Sequence, residues 1–333
     1  MITLHGPSYL YTGEILTKPE VLYINDHHYN EQDRCFYIKQ LLDNSTCDPM
    51  DHRVVLDHVL IHDDELKDYN LIFYPSLLAK EEKQFNNQHI QPDWHNRSKI
   101  FNFIINKPRL HREFLLILID HFKLHNYAHT LCWKNSTVST STLSALTEKY
   151  QELISNTVIT VKPKNFLLGQ ENLLDRGLQL RHIKNCENYQ SFLQKEVFEP
   201  TCISVITEPA FFEKESILTE KTIMSIYSGT LPIWVGGWRC ADALRKFGFD
   251  VFDDVIDHSY QNMEDPFDRC YYAVERNLDV LRDFDRANNF VQSNRGRFEH
   301  NLQLLKDNVF QKEVDQINKK QLTNNTKTAI INT

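Results

Sequence analysis

At 333 residues the chain is longer than one ordinary hydrophobic core requires and suits two domains of about 100–200 residues each. Its 41% hydrophobic and 25% charged content is that of a folded globular chain, not a disordered one. A net charge of −8 excludes a basic field over the whole molecule, which argues against nucleic acid as a general partner while leaving a local basic cleft open.

In chain order, Val21-Leu22-Tyr23-Ile24, Val54-Val55-Leu56, Val59-Leu60-Ile61 and Leu71-Ile72-Phe73-Tyr74 predict strands, with a helix between Arg34 and Leu42. The polar stretch Gln84 to Ser98, which contains Pro92, reads as a boundary, giving a first α/β domain over 1–95. Beyond it Phe101 to Ile105 predicts a buried strand and Arg112 to Leu124 an apolar helix. Cys202 to Ile206 is the next strand. Thr219 to Ser228 follows as a helix, with Thr219 as N-cap and Gly229 as its stop. Leu231 to Val235 reads as a strand, Trp238 to Phe247 as a helix, Val251-Phe252 as a short strand, and Pro266 to Asn308 as helical. The second domain therefore spans 96–310. Residues 311–333 show no core stripe and read as a flexible tail.

This alternation predicts parallel α/β sheets flanked by helices, with ligands beyond the carboxyl ends of the strands. Two loops lie there: Asn106 to His111 and Thr207 to Leu218. Only 9 glycines are present, and neither a GxGxxG nor a Walker motif appears. The seven cysteines are scattered without CxxC spacing and read as reduced thiols. There is no charged-then-apolar leader at Met1, and the longest apolar run, Phe114 to Ile119, is too short for a bilayer. The expectation is a soluble, cytoplasmic protein with no membrane span.

The most informative stretch runs from Ile206 to Gly237, ITEPAFFEKESILTEKTIMSIYSGTLPIWVGG. Glu220 suits a helix start, whereas Lys221 is disfavoured there by about 0.3–1 kcal/mol. A bound anion relieves that conflict, and a solvated surface lysine is the competing reading. In the other loop Lys107, Arg109 and Arg112 crowd around His111. A counter-anion again relieves the repulsion, and arginine forks suit a diphosphate.

The block Thr219-Glu220-Lys221, its helix and SGTLPIWVGG together resemble the donor-binding signature of the alpha-1,3-fucosyltransferases. The segment FIINKPRLHREFLL resembles the strand–Asn–Pro–Arg–aromatic element that precedes it in that family. The continuation GFDVFDDVIDHSY is similar to phage and marine-microbial relatives of the group; the resemblance covers about residues 100–285. It implies a GT-B architecture of two Rossmann-like domains facing each other, and inverting, metal-independent transfer of a sugar, with GDP-fucose the lead donor. The nucleotide sugar is a substrate, and no cofactor is implied. By resemblance Lys221 and Arg112 meet the donor diphosphate, Arg112 stabilising its departure. Glu220 contacts the ribose, and Glu208 matches an acid of the family although Thr207-Glu208-Pro209 departs from its pattern. Arg109 and Thr219 complete the expected donor site, and an insertion falls between about 135 and 195, where Arg176 and Arg181 are further cations.

Inversion requires a base from the first domain. Asp63, crowded by Asp64 and Glu65 at a strand end, is the candidate, with Glu14 a weaker rival and a plain polar turn the alternative. Asp283-Phe284-Asp285 falls in the helical region, which speaks against a DxD metal site there. His58 with His62, and His121, His125 and His129, fit surface or helix-end histidines better than metal ligands. Trp234 and Trp238 fit either a sugar pocket or the core. A glycan acceptor fits the charge better than nucleic acid. The alternatives are a DNA-modifying glycosyltransferase acting on a hydroxymethylated base, and a non-catalytic nucleotide or carbohydrate binder.

Overall fold

The computed structural model describes residues 2–5, 21–25, 39, 42–48, 53–57, 59–61, 69–88, 91–105, 109–124, 126–132, 150, 153, 193–209, 211 and 215–331. Most of the 34–42 segment, expected to be helical, lies outside them. It is a mixed α/β structure with two parallel four-stranded sheets. The first orders its strands β1 (Ile2–His5), β2 (Val21–Asn25), β3 (Arg53–Asp57) and β5 (Leu71–Tyr74). The second contains β6 (Lys99–Ile105), β7 (Ala128–Cys132), β8 (Thr201–Thr207) and β10 (Leu231–Val235), in the order β10-β8-β6-β7. A short antiparallel pair joins β4 (Val59–Ile61) to β9 (Glu215–Ile217), with Ile61 opposite Glu215 and Val59 opposite Ile217.

The second sheet is covered on both faces because its strands carry apolar residues at alternate positions on each side. Phe101, Phe103, Ile203, Val205, Leu231 and Ile233 enter one core, packed by α2 (Leu110–His121), α5 (Pro266–Glu275), α6 (Leu278–Leu281) and α7 (Phe284–Ser293). Ile104, Ile206 and Trp234 point the other way, toward α1 (Ser76–Asn87), α3 (Glu220–Tyr227), α4 (Cys240–Arg245), α8 (Arg295–Lys306) and α9 (Val309–Ile331). On that second face polar side chains satisfy one another. The Asn102 amide donates to Thr201 Oγ1 at 2.6 Å and Ser204 Oγ at 3.1 Å, and Thr230 Oγ1 bridges Ser204 and Ser225. The network ties β6 and β8 to α3 and leaves none of its members short.

Two expectations are corrected. Val251-Phe252 is not a strand: Phe252 has φ +63°, a turn conformation, and its ring stacks on Phe298 at 4.3 Å. Within the Gln84 to Ser98 stretch, α1 runs to Asn87 and Arg97 anchors the segment that follows. The tail after Gln311 continues α9, with Phe310, Val314 and Ile317 buried at helical spacing. That stripe is sparse within a polar run, and it packs on α1, an element far away in sequence. The Glu82 carboxylate accepts from Phe310 N at 3.3 Å and Gln311 N at 3.1 Å, so it caps α9 from α1.

Helix α3 forms for local reasons. Thr219 is its N-cap, in extended geometry, with its hydroxyl accepting from Lys221 N. Gly229, at φ +61°, ends it, and Arg97 donates to the carbonyls of Ser228 and Gly229, both at 2.8 Å, where the helix leaves them unpaired.

Candidate functional site

β6 is continued through α2 to β7 on one side, whereas β8 lies on its other side and continues through α3 to β10. The chain thus leaves β6 and β8 in opposite directions, and the usual rule for such sheets puts a ligand crevice beyond their carboxyl ends. Arg109, His111 and Arg112 stand at the start of α2 on one wall. Glu208 follows β8, and Thr219, Glu220 and Lys221 start α3 on the other.

The two arginines face the end of β8, and the lysine stays at its own helix start. Arg109, the extended N-cap of α2, donates from Nη1 to the Pro209 carbonyl at 3.0 Å. Arg112 is buried, and its Nη2 lies 3.4 Å from the Thr207 carbonyl. Burial and the neighbouring Arg109 pull the Arg112 guanidinium down to about 10, while Glu208 and Glu220 oppose the shift; it stays charged at neutral pH. Lys221 Nζ sits 3.4 Å from Thr219 Oγ1 and 3.6 Å from Glu220 Oε1.

Glu208 is fully buried and faces inward. Its Oε1 accepts from Thr219 N at 2.9 Å and Thr222 Oγ1 at 2.8 Å, and its Oε2 accepts from Thr219 Oγ1 at 2.6 Å. Thr222 Oγ1 in turn accepts from Trp234 Nε1 at 3.0 Å. The carboxylate therefore acts on the helix start, not on an open surface. Burial raises its pKa, while Lys221 and the Thr219 hydrogen bonds draw it back. Part of the anion that Lys221 needs at a helix start is thus supplied by the protein itself. The sequence reading missed this because nothing local distinguishes an acid turned inward from one turned out.

His111 is fully buried between these walls, its ring stacked on Phe211 with centroids 5.3 Å apart. Among the described residues neither ring nitrogen has a hydrogen-bond partner. Burial first, then Arg112, Arg109 and Lys221, hold its pKa well below the usual histidine value, so the ring is neutral. Three cations from two helix starts therefore act on one point. A buried polar group without a partner costs about 1–3 kcal/mol, and His111 carries two such nitrogens.

Behind the crevice, buried Arg269 of α5 gathers several loops. It donates to the carbonyls of Met263 at 2.8 Å, Glu264 at 3.0 Å and Phe211, and stacks over Trp238 at 5.0 Å. A lone arginine in an amphipathic helix gave no sequence signal of this clamp. Trp234 is entirely core, and Trp238 is buried between Arg269 and Arg239. His121 ends α2, His58, His62 and His125 lie outside the described residues, and among the described residues no cluster of three or more metal-ligating side chains occurs. Asp283 caps α7 by accepting from Arg286 N at 2.9 Å. Asp63, Asp64, Glu65, Glu14, Lys107, Arg176 and Arg181 also lie outside the described residues. No described helix is long and apolar enough to cross a membrane. The chain matches no protein-family model and no curated protein sequence.

Proposed function

We propose that the chain is an inverting, metal-independent glycosyltransferase, moving a sugar from a nucleotide-sugar donor to a hydroxyl acceptor. GDP-fucose is the lead donor, on the resemblance carried by Thr219-Glu220-Lys221 and the strand after it. The observation that carries the reading is the convergence of Arg109, Arg112 and Lys221 beyond the carboxyl ends of β6 and β8. A diphosphate leaving group develops negative charge there, and preorganised cations meet that charge as it forms. Arg112 and Arg109 act from the start of α2, and Lys221 acts from the start of α3, steadied by Glu208 and Thr219. By resemblance Glu220 contacts the donor ribose.

The acceptor hydroxyl needs a base. Glu208 is fully engaged by Thr219 and Thr222, so the reading assigns the base to Asp63. The same engagement of Glu208 is what favours the second reading, a non-catalytic binder of nucleotide or carbohydrate. The net charge of −8 favours a glycan acceptor over hydroxymethylated DNA. A thermal-shift series with GDP-, UDP- and CMP-sugars tests the donor. One nucleotide class is expected to raise the melting temperature in a concentration-dependent way, and no shift with any of them overturns the proposal.

A further inference from the structure

We infer that His111 is a hydrogen-bond donor to a phosphoryl oxyanion bound between the starts of α2 and α3; this rests on the diphosphate site of the function proposed above. Three facts of geometry bear on it. The ring is fully buried, both of its nitrogens lack a hydrogen-bond partner among the described residues, and it is held by stacking on Phe211; the charges of Arg112, Arg109 and Lys221 act on it as well.

The hydrogen-bond inventory shows what is missing. A neutral imidazole offers one N–H donor and one acceptor nitrogen. Its acceptor nitrogen has guanidinium and ammonium donors in its surroundings. Its N–H has few acceptors, because both Glu208 oxygens are committed to Thr219 and Thr222. The Thr207 and Pro209 carbonyls already face Arg112 and Arg109, and the Glu208 carbonyl draws on the ring without reaching hydrogen-bonding geometry. Among the described residues these surroundings are rich in donors, and the remaining carboxylate, Glu220, is paired with Lys221 at 3.6 Å. A phosphoryl group is the complementary species, carrying several acceptor oxygens and the charge that three cations balance.

His111 also differs in kind from its neighbours. The cations set the strength of anion binding, whereas a neutral N–H held by ring stacking is directional and fixes where one oxygen sits. Free phosphate and a nucleotide diphosphate share this chemistry, and the two are separated by comparing inorganic phosphate with pyrophosphate.

The experiment is calorimetric titration with inorganic pyrophosphate, and with inorganic phosphate as the second arm, on the full chain. His111→Phe keeps the stack on Phe211 and removes both nitrogens, and it is expected to weaken pyrophosphate about tenfold. Its ligand-free melting temperature is expected to stay level or rise, because two unpartnered nitrogens are gone. His111→Gln retains a donor and is expected to stay within about threefold of the parent chain. Where His111→Phe weakens binding, the inference is supported, and tighter binding of pyrophosphate than phosphate identifies the diphosphate as the source whereas equal binding identifies a single phosphoryl site. Parent-like pyrophosphate affinity in His111→Phe overturns the inference. If Lys221→Ala weakens pyrophosphate while His111→Phe does not, only His111 is excluded and the proposed function stands. If the unaltered chain binds neither anion, both fall. Should His111→Phe fail to fold, nitrogen-15 histidine spectra, assigned with His111→Gln, give the same decision: the His111 ring N–H signal moves on pyrophosphate saturation, and an unmoved signal overturns the inference.

Discussion

Glu208 grips Thr219 at two points, through the main-chain N–H at 2.9 Å and the hydroxyl at 2.6 Å, and so joins the end of β8 to the start of α3. The grip holds a buried carboxyl within the field of Lys221, and a stability effect follows that the sequence reading did not contain.

Lys221→Ala removes the cation that opposes the upward shift of Glu208. The sequence argument, which sees only a lysine misplaced at a helix start, expects an intact or slightly more stable fold. The structure gives the opposite sign. Glu208 has a raised folded-state pKa, so its ionised form is penalised in the folded protein and stability falls as pH rises from the unfolded value. Without Lys221 that penalty grows, costing about 1–3 kcal/mol at neutral pH. Chemical denaturation at pH 7 measures this, and calorimetry with a nucleoside diphosphate is expected to show weakened binding in the same variant.

Glu82 provides a pH test away from the crevice. Burial raises its pKa from 4.5 to about 7, against the pull of the α9 N–H groups and of Lys312 on the same helix. With the folded value above the unfolded one, ionisation is disfavoured in the folded state, and stability declines as pH rises from about 4.5 to about 7. Glu82→Gln keeps an acceptor for Phe310 N and Gln311 N and removes the titration. The difference between parent and variant in urea midpoints at pH 5 and pH 7.5 is expected to correspond to about 2 kcal/mol, after allowance for solvent screening. A constant difference across that range removes Glu82 from the account.

Gly229→Ala tests the end of α3. A Cβ there would lie 2.5 Å from the Trp94 ring, on a residue whose φ is +61°. Left-handed backbone alone costs a non-glycine residue about 1–2 kcal/mol, and displacing Trp94 adds to it. The expected loss is about 2–4 kcal/mol in thermal or urea unfolding. A loss below about 1 kcal/mol would show that Trp94 moves aside freely.

Sugar transfer is expected to survive EDTA, since Arg109, Arg112 and Lys221 carry the leaving-group charge in the proposed mechanism. Loss of turnover on chelation, restored by manganese or magnesium, refutes that division of labour.

The α3 unit was legible because its signals are local: a threonine cap, a glycine stop and an apolar strand on either side. That the helix starts carrying Arg112 and Lys221 follow neighbouring strands was legible at one remove, through strand-end logic, because β6 and β8 pair in the sheet. Long-range events were not. The β4–β9 pair joins main-chain edges far apart in sequence, and a contact of that separation leaves no local pattern to read. β7, Ala128–Cys132, carries polar His129 and Thr130 that hide its strand pattern. The inward turn of Glu208 depends on two later hydroxyls, Thr219 and Thr222, which no residue-type rule pairs with it.

The packing of α1 has a practical consequence for dissecting the chain. Leu78, Ala79 and Phe85 belong to the core that holds Tyr227, Phe310 and Val314, and Phe85 stacks on Tyr227 at 4.8 Å. Asn86 fastens the turn between α8 and α9, donating to the Leu305 carbonyl at 2.9 Å and Asn308 Oδ1 at 3.0 Å. A fragment begun at the polar stretch near residue 95 leaves that surface bare and invites aggregation. One begun just ahead of Ser76 carries its own cover, so an expression boundary for the cation-bearing half belongs before α1, within a segment that the sequence alone assigns to the other half.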